Sequence, residues 1–223
     1  MGDAVGQMLA SAVGIAISPV PLIAVILMLA TPRGRANGTA FTVGWILALA
    51  AVTTVVVLAG SSIDTDAAKP DWSYWLKLAL GALFLVLGAK QWSDRPREGR
   101  VAEPPKWMRA IDRFTPRKSA GLAAVLVAAN PKNLVLAVGG AVSIATSTAS
   151  AGGKTVAVVL MVLVGSLCTL LPLGVYLFGG AEAARVLGGW KAWMSAHNAA
   201  IMMVVLVVLG AKYVGDAISG LTT

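Results

Sequence analysis

Residues 119–149 read SAGLAAVLVAANPKNLVLAVGGAVSIATSTA, thirty-one residues with a single charge, interrupted near the middle by Asn130-Pro131-Lys132-Asn133. As one helix this run would extend about 46 Å at ~1.5 Å per residue, well past the ~30 Å hydrocarbon core of a bilayer. It must tilt, break or re-enter. Pro131 removes a backbone donor and clashes with the preceding turn, so the chain is expected to open there and free carbonyls at about residues 127–129.

Five more apolar runs surround it, at 5–30, 39–60, 75–92, 155–178 and 198–214. The chain is 57% hydrophobic and 13% charged, and that charged share is about half the usual one for a soluble domain. A polytopic membrane protein is therefore expected. The spans read as helices, because a segment in lipid must satisfy its own backbone hydrogen bonds and barrel strands would alternate in polarity.

The first run carries a related interruption, Ser18-Pro19-Val20-Pro21, which frees carbonyls at about residues 15–17. The third run ends Val86-Leu87-Gly88-Ala89-Lys90 and the sixth ends Val208-Leu209-Gly210-Ala211-Lys212, an identical pentapeptide at the same place in each half. The pattern predicts an internal duplication. Three spans per half is an odd number, so the second half crosses in the opposite sense, an inverted repeat of the kind found in secondary transporters. The expected organisation is a first three-helix repeat at 1–92, a basic cytoplasmic linker at 93–118, and a second three-helix repeat at 119–223. Within the linker, Lys106-Trp107-Met108-Arg109-Ala110-Ile111-Asp112-Arg113-Phe114 has the apolar spacing of a short amphipathic helix lying on an anionic leaflet.

Composition excludes several chemistries. One cysteine (Cys168), one histidine (His197) and ten carboxylates supply no disulfide framework, no Cys/His zinc site and no dithiol couple. No Walker motif, nucleophile elbow or catalytic carboxylate pair is present, so neither an enzyme nor a bound cofactor or metal is expected. The net charge of +8 lies in loops beside the spans and reads as membrane topology, with no nucleic-acid partner. The N-terminus lacks a basic region before its first apolar run and does not read as a cleavable signal. Pro172 in the fifth run, one turn after Cys168 and Thr169, reads as a packing kink with a back-bonded threonine, the alternative being that it lines the cavity, and His197 reads as an interfacial residue.

Lys132 is the only ionisable residue deep in a span on this map, at an insertion cost of about 2.5–3.5 kcal/mol. It should face a polar cavity, and the amides of Asn130 and Asn133 or an anionic head group could serve it; the alternative is that Lys132 snorkels to an interface. The substrate-binding candidates are Ser18, Pro19, Pro21, Asn130, Pro131, Lys132 and Asn133.

With Ala16-Ile17-Ser18-Pro19-Val20-Pro21, Asn130-Pro131-Lys132-Asn133 and a basic central loop, the chain resembles the glycolipid- or sulfolipid-addressing proteins, a branch of the lysine-exporter superfamily, over nearly its whole length. The resemblance implies a six-helix inverted-repeat transporter that moves glycolipids or related envelope molecules toward the cell surface. Pro19, Pro21, Asn130, Pro131 and Lys132 would carry over. The superfamily's thiol electron carriers need a cysteine pair that is absent here. Membrane lipids and an amphiphilic or small-molecule substrate are the expected partners, and a homo-oligomer or a lipid-synthesis or export partner is compatible with this reading. The runner-up functions are an exporter of amino acids or ions and a non-transporting scaffold for lipid export.

Orientation in the plasma membrane follows from Lys and Arg. With the N-terminus outside, thirteen fall on the inner side (Arg33, Arg35, Lys90, Arg95, Arg97, Arg100, Lys106, Arg109, Arg113, Arg117, Lys118, Arg185 and Lys191) and four on the outer (Lys69, Lys77, Lys154 and Lys212), with Lys132 in a span. Both termini are expected outside and residues 93–118 inside. In a Cys168→Ser background, an impermeant maleimide applied to intact cells should label a cysteine at position 3 and spare one at position 98; the reverse pattern overturns the topology.

Overall fold

The computed structural model describes residues 2–61, 71–93, 111 and 113–222. Among them the regular structure is helical: α1 Gly2–Ala16, α2 Pro19–Leu29, α3 Gly34–Ser61, α4 Asp71–Ser93, α5 Pro116–Ala128, α6 Pro131–Ala145, α7 Ala151–Gly165, α8 Leu167–Phe178 and α9 Ala183–Leu221. Residues 34–60 and 180–221 are each long and apolar enough to cross a membrane, and three bent helix pairs qualify when each pair is taken as one span. The expected third span falls within α4, a helix of 23 residues that is not among these, so the described residues hold up to five such spans against the six expected. Most of the expected amphipathic linker helix lies outside the described residues.

Two of the bends sit where proline predicts them. The residue before a proline is pushed out of the helical region, and Ser18 (φ −76°, ψ 116°) and Asn130 (φ −82°, ψ 112°) are both extended. The helices bend there by 42° between α1 and α2 and by 68° between α5 and α6. The long run at 119–149 therefore breaks.

The third bend corrects the expectation for the fifth span. Pro172 lies inside α8, whereas the 58° bend falls between α7 and α8, at Ser166. The cause is a carbonyl diverted sideways. The oxygen of Gly165 accepts from Trp45 Nε1 on α3 at 3.3 Å, and the N–H of Thr169, which would ordinarily reach it, bonds Ser166 O at 2.9 Å instead. Gly165 permits this approach, because a Cβ there would meet Leu49 Cδ2 at 2.9 Å.

The described residues form two compact units, one from 1–63 and 104–195, the other from 64–103 and 196–223. In the first, α1 packs antiparallel on α6, with Gly14 against Leu136 and Ser11 against Gly140. Helix α3 runs alongside α5 and α6 in the same direction, with Gly44 on Ala120 and Gly60 on Ala145. The buried stripe Phe41, Trp45, Leu49, Thr53 and Val57 on α3 recurs at four-residue spacing, while Leu47, Val55 and Leu58 of the same helix are exposed. An exterior as apolar as its interior is what a lipid environment requires.

In the second unit, α4 and α9 cross antiparallel: Gly81 meets Val214, Leu85 meets Gly210, and Gly88 meets Val207 and Met203. Gly88 and Gly210 occupy the same place in the shared pentapeptide, and each lies against the residue that precedes the other helix's pentapeptide (Val207, Leu85). Each also lies against the backbone oxygen seven residues before the other glycine (Met203, Gly81). The crossing is thus locally two-fold.

These close approaches give a stability test. A Cβ on Gly44 would stand 2.7 Å from the Ala120 oxygen and 2.8 Å from its Cα, whereas one on Gly121 would meet nothing within 4 Å. Gly44→Val should cost about 1–3 kcal/mol through overpacking, while Gly121→Ala should be neutral or stabilising by up to about 1 kcal/mol, read as unfolding midpoints in one detergent. Equal effects would show that α3 and α5 do not pack this closely.

Candidate functional site

The break between α5 and α6 is held by its own amides. Asn130 caps α6, its Oδ1 accepting from the Lys132 N–H at 3.1 Å. Asn133 reaches back across the break, its Nδ2 donating to Leu126 O at 3.1 Å. Both residues therefore build the bend, and Asn133 Oδ1, buried, has no partner among the described residues. Pro131 is exposed. In the first span, Ser18 is buried and caps α2 without a side-chain hydrogen bond, and Pro19 and Pro21 are buried behind it.

Lys132 is 3% exposed, and its Nζ has no hydrogen-bond partner among the described residues. It does not snorkel to the protein surface. The bend between α7 and α8 meets the same region: Gly165 lies against Ile15 near the end of α1, and Cys168, just past the bend, is within electrostatic reach of Lys132. Ser166 is fully buried with its Oγ unpartnered, while Thr169 returns its hydroxyl to Ser166 O at 3.0 Å. On α3, Thr53 is fully buried with an unpartnered Oγ1. Along α3 it lies between the Gly44–Ala120 and Gly60–Ala145 contacts.

The first unit thus buries Ser18, Lys132, Asn133, Ser166 and Thr53, with Ser18, Asn130 and Ser166 at the breaks of its three bent helix pairs. Of the residues expected from sequence, Ser18, Lys132 and Asn133 are buried at or beside the breaks, Asn130 caps α6, and Pro19, Pro21 and Pro131 shape the backbone. Ser166 and Thr53 were not expected. Their signal was a small or hydroxyl residue in mid-run, Gly165-Ser166 and Thr53-Thr54, which alone resembles ordinary helix packing.

The chemistry on offer is that of a binding site. One ammonium, hydroxyls and an amide oxygen can donate to and accept from a polar group, and no cluster of His, Cys, Asp or Glu able to hold a metal occurs among the described residues. This defines a polytopic helical membrane protein with a polar centre. A family model described as Sap, sulfolipid-1-addressing protein, matches residues 8–219, and the chain belongs to that family. No curated protein and no solved structure matches it significantly.

A buried ammonium without a partner destabilises the fold that holds it. Lys132→Met should therefore raise the unfolding midpoint, by about 1 kcal/mol or more. Asn133→Leu should lower stability by about 1–3 kcal/mol, because it strands the Leu126 carbonyl. A loss of stability in Lys132→Met, measured in the same micelles, would mean that the ammonium already has its partner in the bundle.

Proposed function

We propose that this protein is a secondary transporter or flippase that carries an envelope glycolipid, or another polar-headed amphiphile, toward the cell surface, holding its head group at Lys132. The observation that carries this reading is the Lys132 ammonium, buried at the break between α5 and α6 with no hydrogen-bond partner among the described residues. A lysine there is stabilised when an anionic or strongly polar head arrives, while a cationic side chain would be repelled. The tails can stay in the bilayer. Membership of a family described as sulfolipid-1-addressing agrees with an anionic amphiphile as cargo.

The inverted repeat belongs to the same proposal. Its supports are the two-fold crossing of α4 and α9 and the pairing of α1 with α7 and α3 with α5. If α1 corresponds to α5 and α3 to α7, those two pairings exchange. The bend at Ser166 has no counterpart in the unbroken α3, so the halves are related without being equal. Placement in the inner membrane with both termini outside completes the reading, and the lysine-exporter superfamily is its proposed wider kinship.

Reconstituted transport decides between this function and its rivals. With an anionic glycolipid as cargo, Lys132→Met should reduce the initial rate at least about tenfold while the protein stays folded, and Lys132→Arg should recover part, since guanidinium binds with a different geometry. Wild-type rates in a folded Lys132→Met variant overturn the site. Transport of amino acids or ions but no lipid supports the small-solute exporter, and transport of neither supports the scaffold.

A further inference from the structure

Helix α7 ends at Gly165 and α8 begins anew at Leu167, and the opening between them leaves donors behind. Thr169 N–H turns to Ser166 O at 2.9 Å, while the N–H groups of Leu167 and Cys168 have no backbone partner among the described residues. They begin a helix of 12 residues, whose N-terminus is the positive end of its macrodipole. Ser166 stands at the N-cap without a side-chain cap bond, and its hydroxyl is fully buried and unpartnered. A buried hydroxyl left idle at a helix start is costly unless something takes it up.

Helix packing brings Lys132 to this start. Gly140 on α6 lies against Met161 on α7, and one turn further the consecutive α1 residues Gly14 and Ile15 touch Leu136 of α6 and Gly165 of α7. The next turn toward the bends holds Lys132 and Cys168, and those two are within electrostatic reach of each other. Cys168 Sγ donates to Gly165 O at 3.5 Å, so it is a neutral thiol and not the counter-ion of the ammonium. No Asp or Glu occurs in residues 4–63 or 113–181, which hold α2, α3, α5 to α8 and nearly all of α1. Lys132 itself lies in the first turn of α6, 3% exposed, with its Nζ unpartnered among the described residues. Two helix starts and an ammonium thus concentrate positive charge that no carboxylate of these helices balances.

Taking Lys132 as the head-group site, we propose that the start of α8 is its other half: one oxyanion, a phosphate or sulfate ester on the cargo's head, binds between the Lys132 ammonium and the Ser166 hydroxyl, together with the first N–H groups of α8. A set this rich in donors suits a tetrahedral oxyanion, whose free oxygens accept from several directions. A neutral sugar head needs acceptors as well. The cargo selected is therefore an acid ester, and Ser166 is a specificity-determining residue.

Two measurements test this on the full-length chain in polyoxyethylene micelles, which carry neither phosphate nor sugar. The first is a stability cycle that needs no cargo. Ser166→Asp sets a carboxylate where the oxyanion would bind, so it should be at least about tenfold less damaging to the folding constant with Lys132 present than in a Lys132→Met background. Equal damage in the two backgrounds overturns the juxtaposition. The second measurement reads binding from the unfolding midpoint and stands even if Ser166→Asp does not fold; its separate probes are monooctyl phosphate, octyl sulfate, octyl glucoside and inorganic phosphate. The phosphate and sulfate amphiphiles should raise the midpoint, and octyl glucoside should not. Ser166→Ala should weaken their binding about five- to tenfold, and Lys132→Met should weaken it more. Stabilisation by inorganic phosphate as well supports the site with a free oxyanion as sufficient ligand, and stabilisation by the amphiphiles alone supports it with a head group as ligand. Equal stabilisation by octyl glucoside overturns the choice of an oxyanion. Binding that depends on Lys132 but not on Ser166 overturns the shared site and leaves the head-group reading of Lys132 standing; binding of no anionic probe overturns both.

Discussion

An ammonium buried in an apolar bundle must meet a polar partner, and the arrangement around Lys132 is organised by that demand. The lysine follows a proline at the start of α6, where the backbone is already open. Asn130 and Asn133 spend their hydrogen bonds repairing the break rather than neutralising the charge. The fold thus resolves the backbone problem and leaves the ammonium without a hydrogen-bond partner among the described residues. Stability given up at one position, with its surroundings otherwise satisfied, is the usual mark of a functional residue.

The bends that gather around this lysine have two different origins. Those at Ser18 and Asn130 are local, written by the prolines that follow them. The one at Ser166 is tertiary: the Trp45 indole draws off the Gly165 carbonyl, and a glycine lets α1 and α3 come close enough for it. A sequence records the first kind directly and the second only as a Gly-Ser pair. That difference explains why Pro172 marks a bent run with a back-bonded Thr169 but not the place of the bend, since it stands inside α8, six residues past Ser166.

Other features divide along the same line. Helical type, the break at Asn130-Pro131 and the burial of Lys132 follow from run length, proline chemistry and the cost of charge in lipid. The pentapeptide repeat foretold a relation between α4 and α9, and their crossing pairs Gly88 and Gly210 with equivalent neighbours. Hidden from sequence was the burial of the Thr53 and Ser166 hydroxyls, which depends on how α3 and α7 pack and which no periodicity in either run specifies. The extension of α9 back to Ala183 was also hidden, because residues 183–197 mix charges and tryptophans that read equally well as an interfacial loop.

The proposed link between the polar centre and the family's lipid-addressing description is a head group held at Lys132. An experimental structure of the full-length protein in nanodiscs, prepared with its cellular lipids and resolved well enough to place a head group, observes that occupant directly. The account predicts an anionic or hydroxyl-rich head within hydrogen-bond distance of Lys132 Nζ, about 2.7–3.0 Å, between the breaks at Ser18, Asn130 and Ser166, with acyl chains leaving toward the bilayer. A closed bundle in which Lys132 is bonded to backbone carbonyls, with all lipid density outside the helices, would contradict it.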